Sequence, residues 1–225
     1  MRIISGTNKG RRISPPKNLP VRPTTDRAKE ALFNILSHQY DFEGCTVLDL
    51  FAGTGNISYE FASRGVTAIT AVDQQAQCIQ FIAKTSDSLS FPITPIRASV
   101  ERFLERLHSS YTFIFADPPY AYTFDAYENL IDIIFQHKAL AKNGLLIVEH
   151  AEQVDLSNLP YFTSARSYGG CVFSFFEKYL SFLRCVVFLK IRQCKRLRQL
   201  TLRHQFLTYL SCISVRVTNL VWVDI

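Results

Sequence analysis

The stretch 46-TVLDLFAGTGN-56 determines the fold class, because a short apolar run turns directly into a glycine loop. Thr46–Phe51 has the length of a buried strand, and the residues after the loop have the apolar spacing of a helix. A strand, a tight loop and a helix in this order form the first half of a βαβ unit. The N–H groups of such a loop, together with the helix N-terminus, can bind an anion.

The following residues repeat this alternation of strands and helices. Further strands are predicted at Ala68–Val72, Ile93–Arg97, Tyr111–Ala116 and Gly144–Glu149, with an edge hairpin of Tyr161–Arg166 and Cys171–Glu177 around Gly169 and Gly170. Intervening helices are predicted after Asp73 to about Lys84, over Val100–Leu107 and from Asp125 onward. Right-handed helical crossovers make successive strands parallel. The predicted fold is therefore α/β: a doubly wound, mostly parallel seven-stranded sheet.

Charge is distributed unevenly along the chain. Residues 1–40 contain eight Lys/Arg and two Asp/Glu, and residues 41–178 contain nine Lys/Arg and sixteen Asp/Glu. Residues 179–225 contain eight Lys/Arg and one acid. The net charges of the three segments are +6, −7 and +7, within a total of +6. Basic ends around an acidic middle indicate a polyanionic partner. We predict a basic N-terminal extension at 1–40, a domain at 41–178 and a basic apolar tail at 179–225.

Cysteine usage and the N-terminus bear on the compartment. The six cysteines show no CxxC pair and no metal spacing, so we expect free thiols and no metal site. The N-terminal sequence MRIISGTNKGRRI lacks an apolar segment of signal-peptide length. Tyr179–Ile191 is apolar, but it is interrupted by Arg184 and is too short to span a bilayer. We expect a cytoplasmic protein without a membrane span, and a monomer.

Candidate binding residues fall where the predicted strands end. Gly53, Asp73 and Asp117 occupy such positions, and open α/β sheets bind ligands beyond the carboxyl ends of their strands, so one crevice is expected. Asp49 lies inside an apolar run, where a carboxylate is costly unless a group such as a ligand amine satisfies it. The glycines could instead serve a tight turn alone. Ser58 at the third GxGxxG position leaves a nicotinamide cofactor open but not favoured, and the P-loop lysine is missing.

The run 114-IFADPPYAY-122 ends a strand with an acid, two prolines and an aromatic ring. Asp117 and the carbonyl of Pro118 can accept the two N–H bonds of a planar exocyclic amine, while Pro118 and Pro119 fix the backbone. Tyr120 can stack on the base, a contact worth about 1–3 kcal/mol in nucleic-acid sites. The expected catalysis is positioning and electrostatics, without a tuned general base. The alternative is a strand end with structural prolines and a packed tyrosine.

Several motifs together resemble one protein family. They are 2-RIISGTNKGRRISPP-16, 21-VRPTTDRAKEALFNIL-36, DLFAGTG with Asp73 and DPPY, SRG at Ser63–Gly65, and 167-SYGGCVFSFFEK-178. In this order they are similar to the ribosomal RNA small subunit methyltransferase D family, which has the Rossmann-like fold of class I S-adenosylmethionine-dependent methyltransferases. The resemblance covers about Met1–Lys178 and makes 41–178 the methyltransferase domain. It implies methyl transfer from S-adenosylmethionine to N2 of one guanine of 16S rRNA, guanine 966 in the family.

The resemblance also implies roles for individual residues. Asp73 would bind the ribose, Asp49 with the loop amides would bind the methionine end, and Phe51 or Tyr120 would face the cationic sulfonium. The implied cofactor-binding residues are Asp49, Phe51, Gly53, Gly55, Asp73 and Ser99. This sequence departs from the family at two of them, because Asp or Asn is usual where Ser99 aligns and Glu is common where Asp73 stands.

The N-terminal extension is predicted to contain a basic hairpin over residues 2–13, turning near Thr7–Gly10, and then a helix capped by Thr24 or Thr25. The apolar stripe of this helix is expected to consist of Ala28, Ala31, Leu32, Ile35 and Leu36. Contacts to rRNA phosphates are expected from Arg2, Lys9, Arg11, Arg12, Arg22 and Arg27, with Lys17 and Lys29 as further candidates. A solvated charged face is the alternative. The target base is expected to be an unpaired guanine of 16S rRNA, free or in the assembling small subunit.

Other functions stay open at this stage. The DPPY motif also suits adenine N6 or cytosine N4 of DNA or another RNA, and a non-catalytic RNA-binding assembly factor would bind the cofactor without turnover. A glutamine-modifying methyltransferase is disfavoured because Asn would be expected where Asp117 stands. Residues 179–225 lie beyond the resemblance and contain neither Gly nor Pro. They are interpreted as a basic amphipathic helix, a poorly packed appendage or the product of a shifted reading frame.

Overall fold

The computed structural model describes residues 1–16, 19 and 25–178 of the 225-residue chain. The predictions for Lys17, Arg22, Thr24 and the 179–225 tail therefore lie outside the described residues. The described residues all belong to one compact unit of the chain.

One seven-stranded sheet organises the described part of the chain. Its strands are β1 Thr46–Leu50, β2 Ala68–Asp73, β3 Ile93–Arg97, β4 Tyr111–Ala116, β5 Leu140–Ala151, β6 Phe162–Tyr168 and β7 Cys171–Phe176. The spatial order is β3-β2-β1-β4-β5-β7-β6. The first five strands are parallel, whereas β7 is antiparallel to β5 and to the edge strand β6. The predicted mostly parallel sheet and its edge hairpin are confirmed.

Within the described ranges, five helices accompany the sheet: α1 Asp26–Gln39, α2 Asn56–Ser63, α3 Ala76–Leu89, α4 Val100–Glu105 and α5 Phe124–Gln136. The prediction ended α3 too early, because its helix continues until Ser90 adopts a left-handed φ of 52°. The prediction ended α4 too late. Arg106 N and Leu107 N donate to carbonyl oxygens three residues back, which closes a turn rather than extending the helix.

Two apolar layers bury the two faces of the sheet. One face packs against α1, α2 and α3, and the other packs against α4 and α5. Alternation along the strands produces this division, since Val47 faces the first layer and Leu48 faces the second. In β4 the same alternation separates Phe113 from Ile114. Helices on both faces confirm the doubly wound arrangement.

The N-terminal residues form the predicted hairpin and pack onto the sheet domain. Ile3 N donates to Arg11 O at 2.9 Å, and Gly10 N donates to Ile3 O at 2.9 Å. Ile3 and Ile13 are buried in the first apolar layer. Thr25 caps α1, because its side chain accepts a hydrogen bond from the N–H of Ala28.

The apolar stripe of α1 differs from the prediction. Leu32 and Leu36 are fully buried, and so are Phe33 and Lys29, which the stripe did not include. Ala31 and Ile35 are partly exposed. The helix is therefore covered by the domain on a wider face than the apolar spacing alone indicates.

The described cysteines Cys45, Cys78 and Cys171 are free thiols, as predicted, and the structure shows that they are buried. Among helices in the described ranges, none is long and apolar enough to cross a membrane.

Candidate active site at the carboxyl ends of the parallel strands

The candidate site lies where the strand order reverses, between β1 and β4. These strands pair in parallel, with Leu50 opposite Ala116 at their carboxyl ends. The residue after β4, Asp117, donates its N–H to Leu50 O at 3.3 Å. Connections leave the two strands toward opposite faces of the sheet, which opens a crevice at this point. The glycine loop after β1 and the DPPY motif after β4 are thus neighbours.

Asp73 holds the glycine loop in place. Its Oδ2 accepts a hydrogen bond from Gly53 N at 2.8 Å, and its Oδ1 accepts one from Gln75 N at 2.7 Å. Gly55 has a φ of 78°, and a Cβ there would lie 2.9 Å from Cζ of Tyr59. Glycine is therefore required at this position by both backbone conformation and space. Each carboxylate oxygen keeps a further lone pair, so Asp73 can still accept a ligand hydroxyl.

Asp49 is a buried carboxylate beneath the same loop. Its Oδ2 accepts hydrogen bonds from Ser58 N at 3.2 Å and from Ser58 Oγ at 2.5 Å. Both of these hydrogen bonds come from Ser58, in the first turns of α2. Burial raises the pKa of Asp49 to about 7, against the opposing hydrogen bonds from Ser58 and with a smaller contribution from the charge of Asp73.

Ser58 was interpreted in the sequence only as a departure from a glycine pattern. The structure makes it the hydrogen-bond partner of Asp49 in the first turns of α2. The spacing could have indicated this contact, because Ser58 follows Asp49 by nine residues across one tight loop.

The DPPY motif presents its residues at different depths. Pro118 is buried, Asp117 is partly buried and Pro119 is exposed. Tyr120 is 66% exposed, so its ring is available to an external partner. Tyr122 N donates to Pro119 O at 2.8 Å, which closes a turn directly behind the motif. The alternative of a packed structural tyrosine at position 120 does not fit this exposure.

The pKa of Asp117 is raised well above its usual range. Burial is the main cause, and the neighbouring charges of Glu149 and Asp49 add to it. Glu149 lies near the end of β5 and is buried. Sequence reasoning did not propose Glu149 for the site, although β5 was predicted to end on this carboxylate as β2 ends on Asp73. The site therefore concentrates acidic side chains within the crevice.

Aromatic residues form one side of the site. Phe51 adopts a left-handed φ of 59°, which is uncommon outside glycine and is typical of functional sites. Its ring lies 5.7 Å from the ring of Tyr122. The hydroxyl of Tyr122 donates to Glu101 Oε1 at 3.2 Å, and its ring also contacts Tyr127. The sequence analysis missed Tyr122, although it lies two residues after the DPPY tyrosine.

Ser99 lies beside the end of β2. Ala98 N donates to Asp73 O at 3.1 Å, which places the loop after β3 next to the Asp73 backbone. Ser99 itself caps α4, where its Oγ accepts a hydrogen bond from Arg102 N at 3.4 Å. The crevice thus brings the loops that contain Gly53, Asp73, Ser99 and Asp117 to one edge of the sheet.

Most of the described residues that were predicted to contact phosphates are exposed to solvent. Arg2, Lys9, Arg11, Arg12 and Arg27 are exposed, and Arg2 lies 3.6 Å from Asp26. The prediction for Lys29 was wrong. Its side chain is buried, with Nζ 3.4 Å from Glu60 Oε2 and 2.8 Å from Asn56 Oδ1, so it contacts no external phosphate. Helical spacing could not reveal this, because both partners belong to α2.

The polar groups of the crevice fit an amino-acid-bearing nucleoside cofactor. Asp49 offers a buried carboxylate oxygen to a cationic amine, and Asp73 offers acceptors to hydroxyl groups. The half-buried ring of Phe51 provides an apolar surface with a negative face. No cluster of three or more His, Cys, Asp or Glu in the described ranges is arranged to hold a metal ion.

Comparisons with known proteins were consistent across sequence and structure. The model of the family described as conserved hypothetical protein 95 matches residues 1–177. YlbH of Bacillus subtilis, provisionally named an rRNA methyltransferase, is 33% identical over 161 residues, or 69% of this chain and 85% of that protein. Ribosomal RNA small subunit methyltransferase D of Escherichia coli K12 is 29% identical over 161 residues, or 71% and 79% of the two chains.

A solved structure extends the match to the fold. The Escherichia coli protein yhhF, provisionally described as a methyltransferase, superposes with a TM-score of 0.69 at 25% sequence identity. The superposition covers 79% of this chain and 97% of that chain. These matches confirm the family resemblance and the Rossmann-like methyltransferase fold predicted from the motifs.

Proposed function

The chain belongs to the family described as conserved hypothetical protein 95, and from this membership and the site geometry we propose that it methylates 16S rRNA. The substrate group is the exocyclic N2 amine of one guanine, guanine 966 in the family, and the methyl donor is S-adenosylmethionine. Relatives named as rRNA methyltransferases support the choice of rRNA. The DPPY motif, with its two acceptors for a planar amine, supports the choice of an amino nitrogen.

The observation that carries the proposal is the 3.3 Å hydrogen bond from Asp117 N to Leu50 O. It fixes the DPPY motif beside the loop of Gly53 and Gly55. A cofactor held by the glycine loop and an amine held by Asp117 would therefore meet in one crevice. Holding two reactants in this way accounts for much of a transferase's rate enhancement.

The charge of the site supports a cationic methyl donor. Asp49, Asp117 and Glu149 are buried or partly buried acids, and burial, together with the charges of Glu149 and Asp49, raises the pKa of Asp117. When bound, S-adenosylmethionine supplies an electrophilic methyl group, and its sulfur retains the electron pair of the broken S–C bond. Negative groups fixed in a partly desolvated crevice favour a sulfonium and an ammonium over neutral ligands.

The DPPY residues orient the amine of the target base. Ionised Asp117 and the carbonyl of Pro118 each accept one N–H hydrogen bond, which directs the nitrogen lone pair out of the ring plane. Nitrogen forms the new N–C bond and then loses one proton to Asp117 or to water. Tyr120 is exposed enough to stack on the base once it is extruded from the RNA.

The basic hairpin supplies affinity for RNA. Lys9, Arg11 and Arg12 are exposed on the hairpin, and Arg27 is exposed on α1. Contacts to phosphates position the substrate without reading its sequence. Relatives named for rRNA methylation also support a cytoplasmic location, where ribosomal subunits assemble.

The experiment is transfer of label from methyl-labelled S-adenosylmethionine to purified small ribosomal subunits and naked 16S rRNA that lack native methylation. DNA and bulk protein serve as competing acceptors, and Asp117→Asn serves as the inactive control. The proposal predicts label in 16S rRNA that the control does not transfer. Label only in DNA or protein would reject it, and cofactor binding without any transfer would support an assembly factor.

A further inference from the structure

A second groove lies beside the candidate active site, along α4 and the edge strand β3. Its volume is about 780 Å³. The lining residues are Ile96, Arg97, Ala98, Ser99, Arg102, Phe103, Arg106, Leu107, His108, Ser109 and Tyr111. Ser99 belongs to this groove and also to the predicted cofactor-binding residues. Asp49, Asp73 and Asp117 do not line it.

The charge of the groove is opposite to that of the domain around it. Arg97, Arg102 and Arg106 are exposed, and none of them forms a salt bridge with a residue in the described ranges. No carboxylate among the residues that the structure describes lines the groove. Residues 41–178 have a net charge of −7, so three arginines within ten positions form a local exception. Such a cluster attracts an anion at short range.

The floor of the groove is apolar and contains two rings. Phe103 and Tyr111 are partly buried and pack against the second apolar layer of the core. The hydroxyl of Tyr111 donates to Thr70 Oγ1 at 3.1 Å, which fixes the orientation of its ring. Basic side chains and aromatic rings that line the same groove are the combination that binds single-stranded nucleic acid, through phosphates and through stacked bases.

The groove is connected to the DPPY motif through α4. Tyr122 closes the turn behind DPPY, and its hydroxyl donates to Glu101 of α4 at 3.2 Å. The next residue along α4, Arg102, lines the groove. Arg102 lies on α4 and Arg106 follows its last residue, and both border the same groove. A strand that leaves the target site across α4 would meet both guanidinium groups.

We propose that this groove binds the phosphodiester backbone of an RNA segment that flanks the target base. The proposal rests on the proposed function and assigns to it a second RNA contact surface, on the sheet domain and separate from the N-terminal hairpin. Arg97, Arg102 and Arg106 bind phosphates, and Phe103 and Tyr111 support an unpaired base. This surface holds the substrate strand on the far side of α4 while the target base occupies the crevice.

The test uses the full chain with Arg97→Gln, Arg102→Gln and Arg106→Gln combined. The matched control combines Lys138→Gln, Lys142→Gln and Arg166→Gln, which are exposed, line no part of the groove and remove the same charge. Affinity for naked 16S rRNA is measured between 50 mM and 200 mM salt. Each phosphate contact contributes about 0.7–0.9 to the slope of log K against log salt concentration. Because the groove variant loses three arginines, its slope should be smaller than the wild-type slope by about 2–3.

The control should keep the wild-type slope, and the groove variant should keep its affinity for S-adenosylmethionine. Equal slopes for the two variants would overturn the proposal. Weaker binding to assembled subunits with unchanged binding to naked rRNA would also overturn it, in favour of a ribosomal protein partner. If the triple variant unfolds, the single variants Arg102→Gln and Arg106→Gln are measured in its place. Each should reduce the slope of log K against log salt concentration by about 1. Binding is measured without turnover, so failure of methyl transfer in wild-type protein is a separate result.

Discussion

Lys29 Nζ lies 3.4 Å from Glu60 Oε2, and both side chains are almost fully excluded from solvent. The pair joins α1 to α2, the helix that begins at the glycine loop. Glu60 also accepts the backbone N–H groups of Ile4 at 2.8 Å and Ser5 at 3.1 Å. Glu60 therefore helps to fix the basic hairpin to α2, the helix that follows the glycine loop.

We expect Glu60→Gln to destabilise the protein by about 3–5 kcal/mol, because it leaves the Lys29 ammonium buried without a carboxylate partner. Lys29→Met should cost less, because Arg64 Nε lies 2.9 Å from Glu60 Oε1 and still pairs with it. The double variant should lose less than the sum of the two. Urea unfolding of the four proteins measures this coupling. The matched control is the exposed Arg2–Asp26 pair, where Arg2→Gln should cost about 0–1 kcal/mol. Equal effects at the two pairs would contradict the anchoring role of Glu60.

Asp73→Asn should weaken binding of S-adenosylmethionine at least about tenfold, through the loss of a charged acceptor for the Gly53 and Gln75 amides. Titration calorimetry measures the affinity. Asp87→Asn is the control, since Asp87 is an exposed residue on α3. Unchanged affinity in Asp73→Asn would remove Asp73 from the cofactor site.

Asp117→Asn should reduce turnover by about 100-fold or more while cofactor affinity changes only a few-fold, because Asp117 is assigned to the amine and not to the cofactor. In wild-type protein, turnover should increase as pH rises through the raised pKa of Asp117. Only the ionised carboxylate can both accept a hydrogen bond from the amine and stabilise positive charge on its nitrogen. Asp125→Asn, in the first turn of α5, should retain activity. Loss of turnover and cofactor binding together would instead indicate a structural role for Asp117.

Asp49 makes the stability of the cofactor-free protein depend on pH. Its pKa is about 7 in the folded protein and near 4 when unfolded, so the folded state binds the proton more tightly. Stability from this group is present below about pH 4 and is lost as pH rises toward 7. Asp49→Asn should therefore flatten the fall in melting temperature between about pH 4 and pH 7. A wild-type pH profile in the variant would show that Asp49 is not the titrating group.

A chain that ends at Lys178 should remain folded and active, because all seven strands of the sheet end by Phe176 and the family match ends at residue 177. Circular dichroism and methyl transfer measure the two properties. Soluble, folded protein without transfer would assign residues 179–225 a role in the reaction. Insoluble protein would show that the fold requires them.

Local patterns determined most of the fold in advance. Ile93–Arg97 and Tyr111–Ala116 were predicted with the bounds that the structure has, because short apolar runs bounded by turn residues are strong strand signals. The strand ends also identified Gly53, Asp73 and Asp117 as neighbours. Parallel sheets gather such positions at one edge regardless of the details of packing.

Contacts between distant residues were not predictable in the same way. Lys29 was predicted to be an exposed basic residue, but in the structure it is buried against Glu60, 31 positions later in the chain. Glu149 lies at the site because β5 pairs with β4, and Tyr122 lies there because the chain turns directly after the DPPY motif. The roles given to Asp73, Asp117 and the basic hairpin stay predictions, which the variants above test.

The measurement that tests the central claim most directly is identification of the methylated nucleoside. Small subunits that lack native methylation are incubated with the protein and S-adenosylmethionine, and the 16S rRNA is digested and analysed by mass spectrometry. The account predicts N2-methylguanosine, present with wild-type protein and absent with Asp117→Asn. N6-methyladenosine or N4-methylcytidine in its place would contradict the guanine assignment.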